Sequence, residues 1–432
     1  MNLREKFIFT AGEFALDGFR ARAASFGAGP ADPLSRFNAI LAHARAELPA
    51  LDAACSAAGI GPGGCLTAEE TKKIPVLQRT AVAAGANRAE GTALASLQSG
   101  GTTRTGRLET ALDLRGVIGR YADLLAVLKT TGWRMGERVS ALHPVEYGYF
   151  QNLGKMAGAL AFSKIIFEFI QQYALYRLIH NRRNIYYAGD IFSSPAAARA
   201  LLESALADDP VLLITRPDAL MAALKTLRPE DKFRRLKGVL TVGTALGAAV
   251  RTAARERLGA EVYDMYASTE LGYVGLTCPV SGGWFHVNEA GYLPETGADG
   301  SIIVTDFNNR LTPMLRYDTG DTGEVEYRTC ACGRRGLMMR VFGRRAGGVG
   351  VGPGRTLRET DIIDKAFPSG LPFFQLYAAP GGGLAMRLAP GLAGREKELA
   401  GAVKELLGLP AEPAAAATGL VLPPSGKFCF LP

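Results

Sequence analysis

Eight consecutive residues, Ser99-Gly100-Gly101-Thr102-Thr103-Arg104-Thr105-Gly106, hold three glycines and four hydroxyls. Glycines let backbone amides turn toward an anion, and the hydroxyls add short, inexpensive donors. A phosphate loop of the hydrolase type also needs a lysine for the phosphates and a serine or threonine for magnesium. Those positions are Arg107 and Leu108 here, so both groups are missing. Taken alone the stretch is a different phosphate cradle or a plain loop. Farther on, Cys330-Ala331-Cys332-Gly333 is a tight dithiol, and CPVSGGWFH upstream supplies Cys278 and His286. Three thiolates and an imidazole suit a tetrahedral structural zinc that clips two loops together. The alternative is four unrelated side chains. Cys55, Cys65 and Cys429 fit no ligand pattern.

The elements that must position these groups follow from periodicity. VLLITRP and GVLTVGTAL read as buried strands, DALMAALKTL and AAVRTAARERLG as helices, and AEVYDMYASTE as a strand again. Such alternation predicts a largely parallel sheet with helices on its faces. Residues 1–90 read as helical, Leu112–Thr130 as an amphipathic run, and a strand precedes HPVEYGYF. Past Gly300 the strands shorten (SIIVTDF, GEVEYRT, LMMRVFG). The glycine-rich run Ala346–Arg355 then separates a last piece with one helix, REKELAGAVKELLG, and an Ala/Pro linker, AEPAAAATG. The division expected is 1–342 and 343–432.

At 432 residues the chain exceeds one compact core. Its net charge of +8 favours anionic partners, but the arginines are dispersed, which argues against nucleic acid and for a small phosphate-bearing ligand. Gly158–Ile170, the most apolar run, is interrupted by Lys164 and Glu168 and is too short to span a bilayer. The amino terminus lacks the pattern of a secretory signal. Six cysteines make no disulfide scaffold at this length, so the expected compartment is the cytoplasm.

Three further stretches change the weight of the glycine loop. YASTE (Tyr266–Glu270), LRYDTGDTGEV (Leu315–Val325) and PPSGK (Pro423–Lys427) come after it in order. Singly, the second is a surface turn and the third a solvated lysine. Together the four stretches resemble the adenylate-forming superfamily of acyl-CoA synthetases and adenylation domains. The similarity is greatest to the phenylacetate–CoA ligase-like and CapK-like branch, from about Ile74 onward. The resemblance implies an α/β fold: a large amino-terminal domain of helix-covered, mostly parallel sheets with a small distorted β-barrel part. A small α+β lid that moves as a unit would come after it.

It also implies roles. Ser99, Gly100, Gly101, Thr102, Thr103, Thr105 and Gly106 would wrap the β- and γ-phosphates of ATP, Arg104 standing where relatives have glycine. Gly243, Thr244 and Ala245, in VGTA, would lie against one face of adenine and Tyr266 on the other. Ala267 replaces a family glycine, and Ser268 completes that wall. Thr269 would donate to the α-phosphate, and Glu270 would hold Mg²⁺ through oxygen. Asp321 would accept both ribose hydroxyls, with Arg344 adding a contact from the domain junction. Lys427 would stabilise the charge that gathers on phosphorus as a carboxylate attacks. Tyr147, Tyr149 and Phe150 fall where relatives wall the acid's pocket, and flat apolar rings suit an aromatic acid. His143 reads as a core histidine. Relatives share the Cys…His…Cys-x-Cys pattern. They also carry an acidic hinge pair where this chain has Ala346 and Gly347, although glycine supplies hinge freedom of its own.

The leading expectation is ATP-dependent activation of a carboxylic acid to acyl-AMP, pyrophosphate leaving, then transfer to the thiol of CoA. A stand-alone adenylation enzyme of a biosynthetic pathway, feeding a carrier protein or an amine, is the alternative. A catalytically idle nucleotide-binding scaffold is the third reading. Expected partners are a small acid and CoA or an acyl-carrier protein, with no nucleic acid or membrane, and a homodimer is left open.

Overall fold

The computed structural model describes residues 32–91, 93–98, 108–143, 181–187, 189–345, 347–352, 354–380, 382–423 and 425–432. The chain divides into two compact units. The first takes the described residues up to Gly136, Asn181 and Met265–Val341; the second takes 137–143, Arg182–Asp264 and Phe342–Pro432.

The first unit opens with helices α1 (Pro33–Glu47), α2 (Pro49–Ala57), α3 (Ala68–Thr71) and α4 (Arg79–Ala83). The Asp32 carboxylate accepts the Ser35 N–H and Pro33 presets the first turn, so α1 starts where its sequence dictates. Phe37, Leu41, Ala44, Cys55 and Cys65 form the apolar seam under these helices. Strands β1 (Ala95–Gln98) and β2 (Glu109–Leu112) pair antiparallel, and α5 (Leu114–Thr130) comes next, capped by Asp113.

The second unit contains the expected α/β alternation. Strands β3 (Val139–His143), β4 (Arg182–Tyr186), β5 (Leu212–Thr215) and β6 (Gly238–Val242) run parallel in the order β4-β3-β5-β6. Helices α6 (Pro195–Asp208), α7 (Pro217–Thr226) and α8 (Ala248–Leu258) link them and lead onward. Strands β3, β5 and β6 are buried along nearly their whole length, as strands of a helix-covered parallel sheet are, whereas β4 at the sheet's end carries Arg182, Arg183 and Asn184.

Strand β7 (Glu261–Ser268) carries the chain from the second unit into the first, where pairing becomes antiparallel. There β8 (Gly272–Thr277), β9 (Phe285–Val287), β10 (Tyr292–Thr296), β11 (Ser301–Asp306), β12 (Tyr317–Thr329) and β13 (Arg335–Arg344) are arranged β10-β11-β12-β13-β9-β8. The short-strand texture expected past Gly300 is present.

The last segment departs from expectation in two places. The glycine-rich run is a hairpin of β14 (Val349–Gly352) and β15 (Arg355–Leu357), not a bare spacer. After α9 (Glu359–Ala366), β16 (Phe374–Ala378), β17 (Leu384–Leu388) and α10 (Glu396–Leu407), the Ala/Pro linker contributes β18 (Ala414–Ala416), parallel to β17. Backbone pairing can recruit alanines whose side chains alone predict nothing. Among the described residues no helix is long and apolar enough to cross a membrane.

The chain's end is core. Phe428 and Phe430 are each 2% exposed. Phe428 lies 5.0 Å from Phe192 and 4.9 Å from Phe373, ring to ring, and Phe430 lies 5.0 Å from Phe374. The N–H groups of Phe430 and Leu431 donate to the Glu359 carboxylate at 2.7 and 2.9 Å. Replacing Phe430 with alanine should therefore cost about 3–5 kcal/mol, read as a lower midpoint in urea unfolding.

Candidate functional site

The YASTE motif is the tight connection from β7 to β8, with Ser268 paired across from Gly272. Its carbonyls are held in sequence. Arg120, on α5, donates to the Thr269 carbonyl at 2.7 Å and to the Glu270 carbonyl at 2.6 Å. The Tyr292 hydroxyl donates to the next carbonyl, Leu271, at 2.6 Å. Gly272 has a φ of +89°, and a Cβ there would come 2.9 Å from the Tyr292 hydroxyl. Only glycine fits both the dihedral and the space.

With its backbone pinned, Glu270 buries its carboxylate. Arg79 reaches its Oε1 at 3.3 Å and the Tyr317 hydroxyl donates to the same oxygen at 3.0 Å. Both bonds fall on Oε1, so Oε2 is the oxygen that suits a hard divalent cation. Burial and the neighbouring carboxylate raise the Tyr317 hydroxyl's pKa, keeping it a donor. Beside this turn, the Tyr266 hydroxyl donates to Asp321 Oδ2 at 2.5 Å, so the residues expected at adenine and ribose are neighbours. A bulge between Tyr266 and Ala267 shifts the β7–β8 register where the family glycine is replaced.

Behind Arg120 are two buried carboxyls. Asp123 accepts from Asn288 at 2.8 Å, and Asp306 accepts the Asn308 N–H at 2.8 Å. Burial pushes Asp123 up to about 7 and Asp306 up to about 6; Arg120 opposes the shift in both.

In the second unit, β6 ends at the VGTA segment. Gly243 has a φ of +102°, and a Cβ there would lie 3.7 Å from the Lys427 Nζ and 4.0 Å from the Arg216 Cδ. The Thr244 hydroxyl is buried without a hydrogen-bond partner. Half-buried Lys427 has its pKa lowered, first by burial and then by Arg216 and Arg344. Arg216 forms a two-pronged pair with Asp218, Nε to Oδ1 at 3.0 Å and Nη2 to Oδ2 at 2.8 Å. His143 is half-buried at the end of β3 and has a partner. Its Nε2 accepts from Arg182 at 2.8 Å, and burial, then Arg182 and Arg216, lower its pKa to about 3, so it stays neutral.

The Cys/His set lies within the first unit. Cys278 sits just after β8, His286 is on β9, and Cys330 and Cys332 sit between β12 and β13. Their four candidate ligand atoms all lie within 4.8 Å of one another. Cys278 and Cys330 sulfurs are 3.6 Å apart, as are Cys332 Sγ and His286 Nε2. Tetrahedral zinc at ordinary bond lengths sets these separations at about 3.6–3.8 Å. Trp284 and Met338 pack against the group, and Gly333, at φ +85°, closes the turn between the two cysteines and Arg334.

The structure thus brings Tyr266, Ala267, Ser268, Thr269, Glu270 and Asp321 together in one unit, and Gly243, Thr244, Ala245 and Lys427 in the other. Arg344 belongs to the second unit and is exposed. Ser99, Gly100, Gly101, Thr102, Thr103, Arg104, Thr105 and Gly106, the pocket residues Tyr147, Tyr149 and Phe150, and Ala346 lie outside the described residues. Motif reading missed Arg79, Arg120, Tyr292, Arg216 and Asp218. Arg79 stands inside IPVLQRT and Tyr317 inside LRYDTGD, so both carried a signal. Arg120 is one polar position among many on an amphipathic helix and carried none.

No family model matches the chain. A phenylacetate–coenzyme A ligase of Thermus thermophilus is 27% identical over 147 residues. That is 30% of this chain and 32% of the relative, so the alignment spans about a third of the relative's length. Among solved structures, 2-hydroxyisobutyryl-CoA ligase in its postadenylation state, with R3-HIB-AMP, matches at TM-score 0.66. Identity is 17%, over 92% of this chain and 87% of that one. The fold is that of the adenylate-forming ligases. The anthranilate CoA ligase AuaEII, with anthranoyl-AMP, matches at TM-score 0.52 and 16% identity, over 77% and 64% of the two chains.

The buried carboxyls of this adenylate-forming fold have a consequence for stability. Asp123 titrates near 7 when folded against an ordinary 3.8, so the folded chain binds that proton more tightly than the unfolded one. Its favourable contribution is whole below 3.8 and is lost as pH rises through about 7. Asp123→Asn keeps an acceptor for Asn288 and removes the charge. The variant's melting temperature should exceed wild type by a few degrees above neutrality, the gap closing toward pH 4, by calorimetry across that range.

Proposed function

We propose that the chain is an ATP-dependent ligase that activates a carboxylic acid as acyl-AMP and passes the acyl group to a thiol. The observation that carries this reading is the charge around Lys427. Lys427 and Arg216 lie beside the glycine turn at Gly243, and the charges of Arg216 and Arg344 both disfavour the Lys427 ammonium while Asp218 favours it. That positive excess, next to the unpartnered Thr244 hydroxyl, is the environment a polyphosphate would balance. Glu270, Tyr266 and Asp321 add the groups that would meet magnesium, adenine and ribose. Mg²⁺ held by Glu270 would neutralise phosphate charge.

In the reaction proposed, a carboxylate oxygen of the acid attacks the α-phosphorus of ATP. The bond from that phosphorus to the β-phosphate oxygen breaks, and pyrophosphate leaves with the electron pair. Lys427 offsets charge on the phosphoryl oxygens as it builds. A thiolate then attacks the acyl carbon and AMP departs, the thiol proton passing to solvent. CoA is the acceptor we favour, since the solved neighbours are named as CoA ligases. An aromatic acid accords with the relative named for phenylacetate and the neighbour named for anthranilate. ATP as co-substrate fits the cytoplasm.

One observation favours the second reading, a biosynthetic adenylation enzyme serving a carrier protein or an amine. Gly347 stands where relatives have an acidic hinge residue, and its N–H closes a turn on the Arg344 carbonyl at 3.0 Å. The test is pyrophosphate release from ATP and Mg²⁺ with a panel of aryl and aliphatic acids and hydroxylamine as trap. We expect acid-dependent release that falls about a hundredfold or more in Lys427→Ala. Glu270→Gln should raise the magnesium needed for half-maximal rate. Silence with every acid, despite ATP binding, would replace the ligase reading with an idle nucleotide-binding scaffold. CoA and carrier proteins, added in turn, then separate the acceptors.

For Cys278, His286, Cys330 and Cys332 we propose a structural zinc, since three thiolates and an imidazole at these separations match its ligand preference. Purified protein should carry about one zinc per chain by atomic absorption. Removing it with a chelator should lower the melting temperature, and Cys332→Ser should lower zinc content alike. Full metal loss without a stability change would rule out a structural role.

A further inference from the structure

Lys427 reaches the Gly243 turn on a backbone tied on both sides. Arg216 Nη1 donates to the Ser425 carbonyl at 2.9 Å and Nη2 to the Gly426 carbonyl at 2.6 Å. On the far side, the Phe428 N–H donates to Asp218 Oδ2 at 2.8 Å. The same arginine and aspartate bind each other through two bonds. Both are buried, Asp218 to 3% exposure.

The pair is itself fixed. Arg216 is the residue before α7, Pro217 opens the helix, and Asp218 lies in its first turn, accepting the Ala219 N–H at 2.9 Å. Proline sets its own dihedral and restricts the residue before it. The arginine's cation also lies 5.8 Å above the Tyr187 ring. An ion pair meant only to satisfy itself would need none of the bonds to residues 425–428. Here Arg216 spends two donors on the carbonyls before Lys427, and Asp218 an acceptor on the amide after it. Phe428, packed on Phe192 and Phe373, anchors the carboxy-terminal side of the lysine.

We propose that Arg216 and Asp218 are positioning residues, a clasp that sets Lys427 for the adenylation half-reaction and takes no part in acyl transfer. This rests on the ligase reading above. The clasp fixes the lysine's backbone, leaving only the side chain's own rotations to settle when phosphate arrives, which is how preorganisation lowers a barrier. Arg216→Lys keeps a cation beside Asp218 but cannot fork to two carbonyls at once. It therefore separates positioning from charge.

The experiment compares wild type, Arg216→Lys, Lys427→Ala and the double variant, using the acid that the pyrophosphate panel selects. Arg216→Lys should slow pyrophosphate release about tenfold or more with little change in KM for ATP. In the Lys427→Ala background it should cost nothing further, because it acts through that amine. Transfer from supplied acyl-adenylate to the thiol should be unchanged. An additive loss, an equal fall in both half-reactions, or an unimpaired Arg216→Lys would each overturn the proposal. Should Arg216→Lys not fold, Asp218→Asn carries the same expectations. Should wild type release no pyrophosphate with any acid, the ligase reading fails by itself. Labelling of Lys427 by an amine-reactive reagent, read by mass spectrometry, then decides the clasp: faster labelling in Arg216→Lys supports it, and equal rates overturn it.

Discussion

Two guanidinium donors of Arg120 end on the carbonyls of Thr269 and Glu270, and the geometry of the β7–β8 connection depends on that contact. The three-residue connection between β7 and β8, Thr269 to Leu271, leaves carbonyls without strand partners, and buried carbonyls must be satisfied. Arginine can serve two at once because its fork is planar. With Tyr292 taking the third carbonyl, the turn has little freedom left, and the Glu270 carboxylate is delivered to Arg79 and Tyr317. The cost appears behind the arginine. Asp123 and Asp306 are pushed upward by burial, and Arg120 is the cation that opposes the shift in each.

The second unit uses the same device for the opposite charge. A lysine near a chain end is ordinarily solvated and loses rotamer freedom when fixed. Here the aromatic cluster of Phe192, Phe373, Phe374, Phe428 and Phe430 makes the tail part of the core, so the segment bearing Lys427 is ordered by packing before electrostatics acts. Burial then lowers the ammonium's pKa, and the Arg216 and Arg344 charges add to that. A site with such repulsion among its own cations is one that an anionic ligand relieves.

Legibility in the sequence divides along physical lines. Elements with strong periodicity, such as Leu212–Thr215, Gly238–Val242 and Leu114–Thr130, were legible because burial on one or both faces writes itself into residue type. The four short motifs were legible because their residue types are unusual together. Ala414–Ala416 was not, since its strand is made by backbone pairing with Leu384–Leu388. Arg120, Arg216 and Asp218 were not legible either. Each bonds to backbone far away in sequence: Arg120 to residues 149 and 150 positions on, Arg216 to residues 209 and 210 positions on. No local pattern records a contact of that span.

Gly347, where the resemblance leads one to expect an acidic residue, lies in a tight turn within the second unit. A Cβ at Gly347 would come 2.9 Å from the Arg344 Cβ and 3.4 Å from its carbonyl oxygen. A side chain at that position would have to displace Arg344 or open the turn that the Gly347 N–H closes on the Arg344 carbonyl. Directly after it, Gly348 allows an equally close approach, since a Cβ there would meet the Thr356 side chain at 2.5 Å. Among the described residues of the hairpin the close approach is confined to Gly348, since a Cβ at Gly350 would meet nothing within 4 Å. The glycine at 347 thus accords with how this segment is built.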